Sequence, residues 1–500
     1  MSEQVTQSVE EKAHNRTQRP RGQVFREFIG QDWGARPAGP ERMAVADYTP
    51  ARRAKLSACF PGERLVLPAG DLQVRSNDCD YRFRAHSAFS HMTGLGGEDE
   101  PGAVLVLNPI DDSHHEATLY FHPRASRSSE EFYADSRHGE FWVGARLSAE
   151  EMERATGIKV AHIEELPDAL AKDLGAINIR VMPQSDARIE ALVAQLRSQN
   201  ELTEGASQAD ALLAEAASEI RLIKDEWEIE EMKKAIAVTA SGFDEMIRTL
   251  PRAKEHWRGE RVVEGAFFAK AREEGNGVGY ETIAAAGNHA NTLHWITNDG
   301  QLRDGELILI DAGAEVDSLY TADITRTLPI SGVFNETQRE VYNAVLEACE
   351  YCLEVASRPR VQFKDLHAAA MEVIAAHLER WGLLPVSAAE SLDPSAQYHR
   401  RWMPHGTSHH LGIDVHDCAQ AKRELYQDAY LEPGMIFTIE PGLYFRQDDL
   451  KVPERFRGIG VRIEDDILVT PDGAIRLSES IPRTVEDVEA WMARCMGRQS

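Results

Sequence analysis

Residues Gly305–Ile330 read GELILIDAGAEVDSLYTADITRTLPI. The apolar run LILI closes on Asp311, followed by Ala312 and Gly313, and a second run opens on Asp323 in ADITRT. Short runs rich in Ile, Leu and Thr on either side of a polar connection predict two strands joined as a hairpin. A hairpin returns both aspartates to one neighbourhood.

Working outward, the same conjunction of acid and apolar strand recurs. PHGTSHHLGIDVHD (Pro404–Asp417) carries His405, His409 and His416. TIEPGLY carries Glu440, and GIGVRIEDD carries Arg462 and Glu464. A single Asp or Glu at a strand end is usually a turn or cap residue. Several together would bury like charges, which is costly unless cations compensate them. Carboxylates with an imidazole suit two divalent ions of the harder kind, with manganese the leading choice and cobalt, zinc or iron tolerated. His405 and His409 have the i, i+4 spacing of a helical zinc motif. Pro404 and Gly406 argue against a helix there, however, and no Glu follows His405, so one ligand from the pair is the better reading. His410 should point to the opposite side of a strand from His409, as a packing residue.

The chain of 500 residues is longer than one core usually serves, so two domains are expected. A net charge of −27 disfavours nucleic acid as a partner. No apolar stretch is long enough to span a membrane and the start lacks an apolar signal core, so the expected compartment is the cytoplasm. Six scattered cysteines predict reduced thiols, and Cys349 and Cys352 fall within a helical pattern as core residues.

Residues 1–40 are polar, without a sustained apolar period, and read as a mobile tail. Residues 41–215 alternate strand-like runs, Arg64–Pro68, Ala103–Leu107 and Ala117–Phe121, with amphipathic stretches such as Ser148–Ala155, predicting an α/β domain. Leu213–Leu250 reads as mostly helical and opens a second domain, 216–480, before a C-terminal helix or tail at 481–500. In that domain strands at 306–310, 323–330, 434–439, 460–463 and 466–470 flank long helices at 337–356 and 366–381, an α+β arrangement.

These motifs resemble the pita-bread metallopeptidases and, within them, the aminopeptidase P (Xaa-Pro aminopeptidase) family in its long bacterial form. The resemblance covers the C-terminal domain through five motifs in order, and the N-terminal domain through YRFRAHSAFSHMTG (81–94) and EFWVGAR (140–146). It implies a creatinase-like N-terminal α/β domain before a pita-bread catalytic domain. It also implies five metal ligands: Asp311 on one ion, His409 and Glu440 on the other, and Asp323 and Glu464 as bridges. His294, in NTLHWITND, and His416 would face the substrate, with His405 and Arg462 close around the site. The interval from Asp311 to Asp323 is one residue longer than in common family members, so a bulge or a longer hairpin is required to keep both on one face.

The implied activity is release of an N-terminal residue that precedes proline. Two ions sharing a water would lower its pKa toward about 7, and Glu440 would relay a proton to the leaving nitrogen. Prolidase, acting on Xaa-Pro dipeptides, is the nearest alternative; a non-catalytic pita-bread binding module and methionine aminopeptidase are the others. The family also implies a homo-oligomer, dimer or tetramer.

Overall fold

A computed structural model describes residues 20, 22–97, 99–111 and 114–497. The chain divides into two compact units, residues 1–217 and 218–500.

The first unit is built on a five-stranded mixed sheet. Its order is Lys159–His162, His115–Phe121, Val104–Pro109, Arg64–Pro68 and Ile179–Val181. The central strands are antiparallel and the two outer ones pair parallel to their neighbours. Helix Ala149–Thr156 starts where Ser148 and Glu151 form a reciprocal capping box. Of the segment expected to be a mobile tail, residues 1–19 lie outside the described residues, but the stretch from 22 to 40 is anchored. It holds helix Gln23–Ile29, Arg36 donates to Glu140 at 2.6 and 2.8 Å, and Trp33 meets Phe132 and Phe141 edge to face. Isolated aromatic and arginine anchors leave no period in the sequence, which is why composition alone missed them.

The second unit begins differently from the expected long helix. Helix Ala206–Ile220 ends, residues 221–225 turn, and Glu226–Lys254 starts afresh from a capping box made by Asp225 and Glu228. Its buried face, including Met232, Ala235, Ile236, Thr239, Phe243, Met246 and Leu250, follows helical spacing. Helices Glu336–Ala356 and Phe363–Arg380 pack into the same core, where Cys349 and Cys352 are buried, free thiols.

The site is positioned by two antiparallel pairings. Leu307–Ala312 pairs with Ile324–Pro329, setting Asp311 opposite Thr325 and Ala312 opposite Ile324, and farther along Glu315 bridges Thr321. All of these pairs share one register. The twelve-residue interval is therefore absorbed by a longer hairpin with no bulge. Asp323, two positions from the partner of Asp311, lies diagonally across on the same face. The second pairing joins Ile436–Ile439 to Asp465–Thr470 and Gly442–Phe445 to Ile459–Arg462. These also share a register, which sets Glu440 across from Glu464 in the interruption between the paired stretches.

Gly313 makes the first hairpin possible, because a Cβ there would be driven into the backbone oxygen of Ala322. Gly313→Ala is expected to destabilise the protein by about 1–3 kcal/mol in denaturant unfolding and to weaken divalent-cation binding. Parent-like values of both would refute this account of the hairpin.

Candidate metal centre and substrate cleft

One cleft of about 590 Å³ is lined by all nine residues singled out from the sequence: Asp311, Asp323, His409, Glu440, Glu464, His294, His405, His416 and Arg462. Asp311, Asp323, Glu464 and Arg462 are buried in its floor, and His294 and His416 stand exposed at its mouth. Ligating atoms of Asp323, His409 and Glu464 come within 4.8 Å of one another, the only such group of three among the described residues. His409 Nε2 lies 3.3 Å from Asp323 Oδ2 and 3.8 Å from Glu440 Oε1.

Hydrogen bonds orient these groups from behind. Arg462 donates from Nη2 to Asp311 Oδ2 at 2.6 Å and from Nη1 to the Tyr444 hydroxyl at 3.0 Å. Thr325 Oγ1 donates to Glu464 Oε2 at 2.6 Å. His405 bonds Tyr444 through Nε2 at 2.8 Å, with Nδ1 3.7 Å from Glu440. His409 and His410 sit in an extended segment beside Ile436–Ile439, where His410 pairs with Phe437. Alternation turns His410 away from the cleft to stack on Phe363 with ring centroids 4.5 Å apart, as expected of a packing residue.

Two residues of the centre were missed. The Tyr280 hydroxyl lies 2.6 Å from Asp311 Oδ1 and 2.5 Å from Asp323 Oδ1, so that its one proton is shared between the two aspartates and links them directly. It lies in GNGVGY, far upstream of both, and no spacing points to it. Asp466 accepts the Asp323 N–H at 3.3 Å, while its Oδ1 is buried without a hydrogen-bond partner. Here a signal existed: Asp466 follows Glu464 by two positions along a strand, the spacing of one face.

The electrostatics describe a site with surplus negative charge. Burial pushes Glu464 well above the usual carboxylate range, and the charges of Asp323, Glu440 and Asp311 push the same way. Burial also raises Glu440 to about 7, against the pull of His409 and Arg462. Burial alone would lower His409, but its contact with Asp323 and the nearby Glu440 outweigh it and hold the imidazole at about 9. His405, buried beside Arg462, falls to about 3. Four carboxylates face one buried guanidinium and one imidazole, a donor set that fits divalent cations and that cations would relieve of its repulsion.

Comparison with known proteins agrees with this architecture. The sequence model of metallopeptidase family M24 matches residues 230–471, and that of the aminopeptidase P N-terminal domain matches residues 49–180. A hydrolytic metallopeptidase is thus the class that fold and cleft define. Xaa-Pro aminopeptidase 1 of Streptomyces coelicolor is 49% identical over 457 residues, covering 91% of this chain and 89% of its own. The Xaa-Pro aminopeptidase of Escherichia coli is 33% identical, covering 89% and 97%. A solved histidine-to-alanine variant of E. coli aminopeptidase P superposes with TM-score 0.79 at 30% identity, covering 92% of this chain and all of that one. A zinc-substituted form of the E. coli enzyme in complex with product gives 0.78. The chain belongs to the aminopeptidase P family of the M24 metallopeptidases.

Because Tyr280 holds two carboxylates at once, Tyr280→Phe is expected to keep the fold and weaken divalent-cation binding by about tenfold. Calorimetric titration with manganese checks this, and unchanged affinity would remove Tyr280 from the support of the centre.

Proposed function

We propose that this protein is a dinuclear metal-dependent aminopeptidase that releases the N-terminal residue from peptides with proline in second position. The observation that carries the reading is the convergence of Asp311, Asp323, His409, Glu440 and Glu464 on one cleft, within a family whose named relatives are Xaa-Pro aminopeptidases. Asp323 and Glu464 would be shared between two ions, Asp311 would serve one, and His409 and Glu440 the other. Manganese is our choice for the ions, from the preponderance of oxygen donors. When bound, they supply Lewis acidity for the scissile carbonyl and acidify a water.

The chain's own groups do the rest. Glu440 takes the water's proton and delivers it to the leaving nitrogen. His416 and His294, at the cleft mouth, hold the peptide and hydrogen-bond the carbonyl oxygen as negative charge develops there. A proline nitrogen has no N–H to recognise, so selection is by shape. Leu293, Ile296 and Val415 line the cleft beside these histidines and form the apolar wall for the ring. Arg462 and His405 stay behind the carboxylates, Arg462 holding Asp311 in place. Among the described residues no helix is long and apolar enough to cross a membrane. We place the enzyme in the cytoplasm, as a dimer or tetramer.

A peptide panel with varied second residue, run with and without manganese, tests the proposal. Cleavage of Xaa-Pro-peptides stimulated by manganese is expected, whereas activity confined to Xaa-Pro dipeptides would make the enzyme a prolidase instead. Asp323→Ala and Glu464→Ala should each abolish both metal binding and activity, and His416→Ala should keep the metal and lower kcat. Retained activity in either carboxylate variant would contradict the ligand assignment.

A further inference from the structure

Beside the cleft lies a cluster of three buried charges that its chemistry does not use. Asp417 directly follows His416, and its carboxylate is gripped by two cations: Arg221 donates from Nε to Oδ1 at 2.9 Å, and Lys224 from Nζ to Oδ2 at 3.2 Å. Arg221 also reaches Asp414, on the same loop, at 3.5 Å. The side chains of Lys224 and Asp417 are 0% and 1% exposed. Withdrawing such charges from water is expensive, and an apolar cluster of the same volume often stabilises a core at least as well. Stability alone is a poor reason for the arrangement.

The backbone around Asp417 is equally constrained. Its N–H donates to the His410 carbonyl at 2.9 Å, closing the loop between the two residues. His409 and His416 flank that bond, and their rings meet nearly perpendicular, at 84° with centroids 4.5 Å apart. Cys418 lies in the left-handed region at φ 58°, where a non-glycine residue is uncommon, and its N–H donates to Asp417 Oδ1 at 2.9 Å. A Cβ on Gly412 would be driven into the other carboxylate oxygen. The cationic side is fixed too: the Lys224 N–H donates to the Gly434 carbonyl at 2.9 Å, just ahead of the strand that leads to Glu440.

We propose that Asp417, clamped by Arg221 and Lys224, is the positioning residue for His416, holding the loop so that this imidazole stands beside His409 on the substrate side of the cleft. The proposal rests on the aminopeptidase reading and on His416 acting on the peptide. Asp417 touches no reacting atom; its effect passes through His416.

A double-mutant cycle on the full-length, manganese-loaded protein tests this, with an Xaa-Pro-containing tripeptide as substrate and His416→Ala, Asp417→Asn and the double variant as enzymes. Asp417→Asn is expected to lower kcat/KM by about 10- to 100-fold at unchanged metal content. In the His416→Ala background the same substitution should cost less than about twofold more. A full second loss in the double variant would mark Asp417 as a general structural residue, and parent-like kcat/KM in Asp417→Asn would remove it altogether; either overturns the proposal. Lys224→Met carries the same cycle should Asp417→Asn fail to fold, with Lys224→Arg expected to recover most of the loss. A parent protein inactive on every Xaa-Pro-peptide is a separate result that defeats the aminopeptidase reading and the proposal with it.

Discussion

Four carboxylates crowded into one buried cleft are the constraint around which the second unit is organised. Like charges at this separation oppose folding unless something of opposite sign stands among them. The chain supplies only part of that. Arg462 neutralises Asp311 at 2.6 Å and His409 leans on Asp323, while burial and the neighbouring carboxylates leave Glu464 well above the usual carboxylate range. The remaining imbalance fits divalent cations, and retaining it is sensible only for a protein that binds them.

Much of the surrounding structure holds this cluster rigid. Arg326, fully buried on the hairpin strand, donates to the backbone oxygens of Glu464, Ile481 and Pro482 and to Asp465 at 2.6 Å, joining the first hairpin to the second pairing. Thr325, the preceding residue, points the other way and bonds Glu464. One strand therefore fastens the two sheets together with one side chain and orients a cleft carboxylate with its neighbour, a direct use of strand alternation. Tyr280 and Asp466 add hydrogen bonds to the aspartates from a third and a fourth direction.

The loop from His409 to Cys418 shows a different solution. Leu411 and Ile413 anchor it in the core, and between them and the cleft it is held by a buried ion cluster and a closing backbone bond, with Gly412 leaving room for the carboxylate. Such a loop can hold an exposed histidine in one orientation, which a loop free to sample several conformations would not.

How much of this was legible depends on the range over which the governing interaction acts. The alternation of LILIDAG and ADITRT with a connection between them was enough to predict a hairpin bringing Asp311 and Asp323 together, and the apolar periods marked the long helices 336–356 and 363–380 within a few residues. Those signals are local, and the sequence by itself determined them. Which register the hairpin would take, and so whether twelve residues meant a bulge, required the partner strand. Tyr280 and the hold on Asp417 depend on residues far apart along the chain, 196 positions in the case of Arg221 and Asp417. The anchoring of residues 22–40 likewise rests on aromatic contacts about a hundred positions away. Burial decides these features, because a hydrogen bond or ion pair gains its strength from surroundings that exclude water, and only the folded chain creates them.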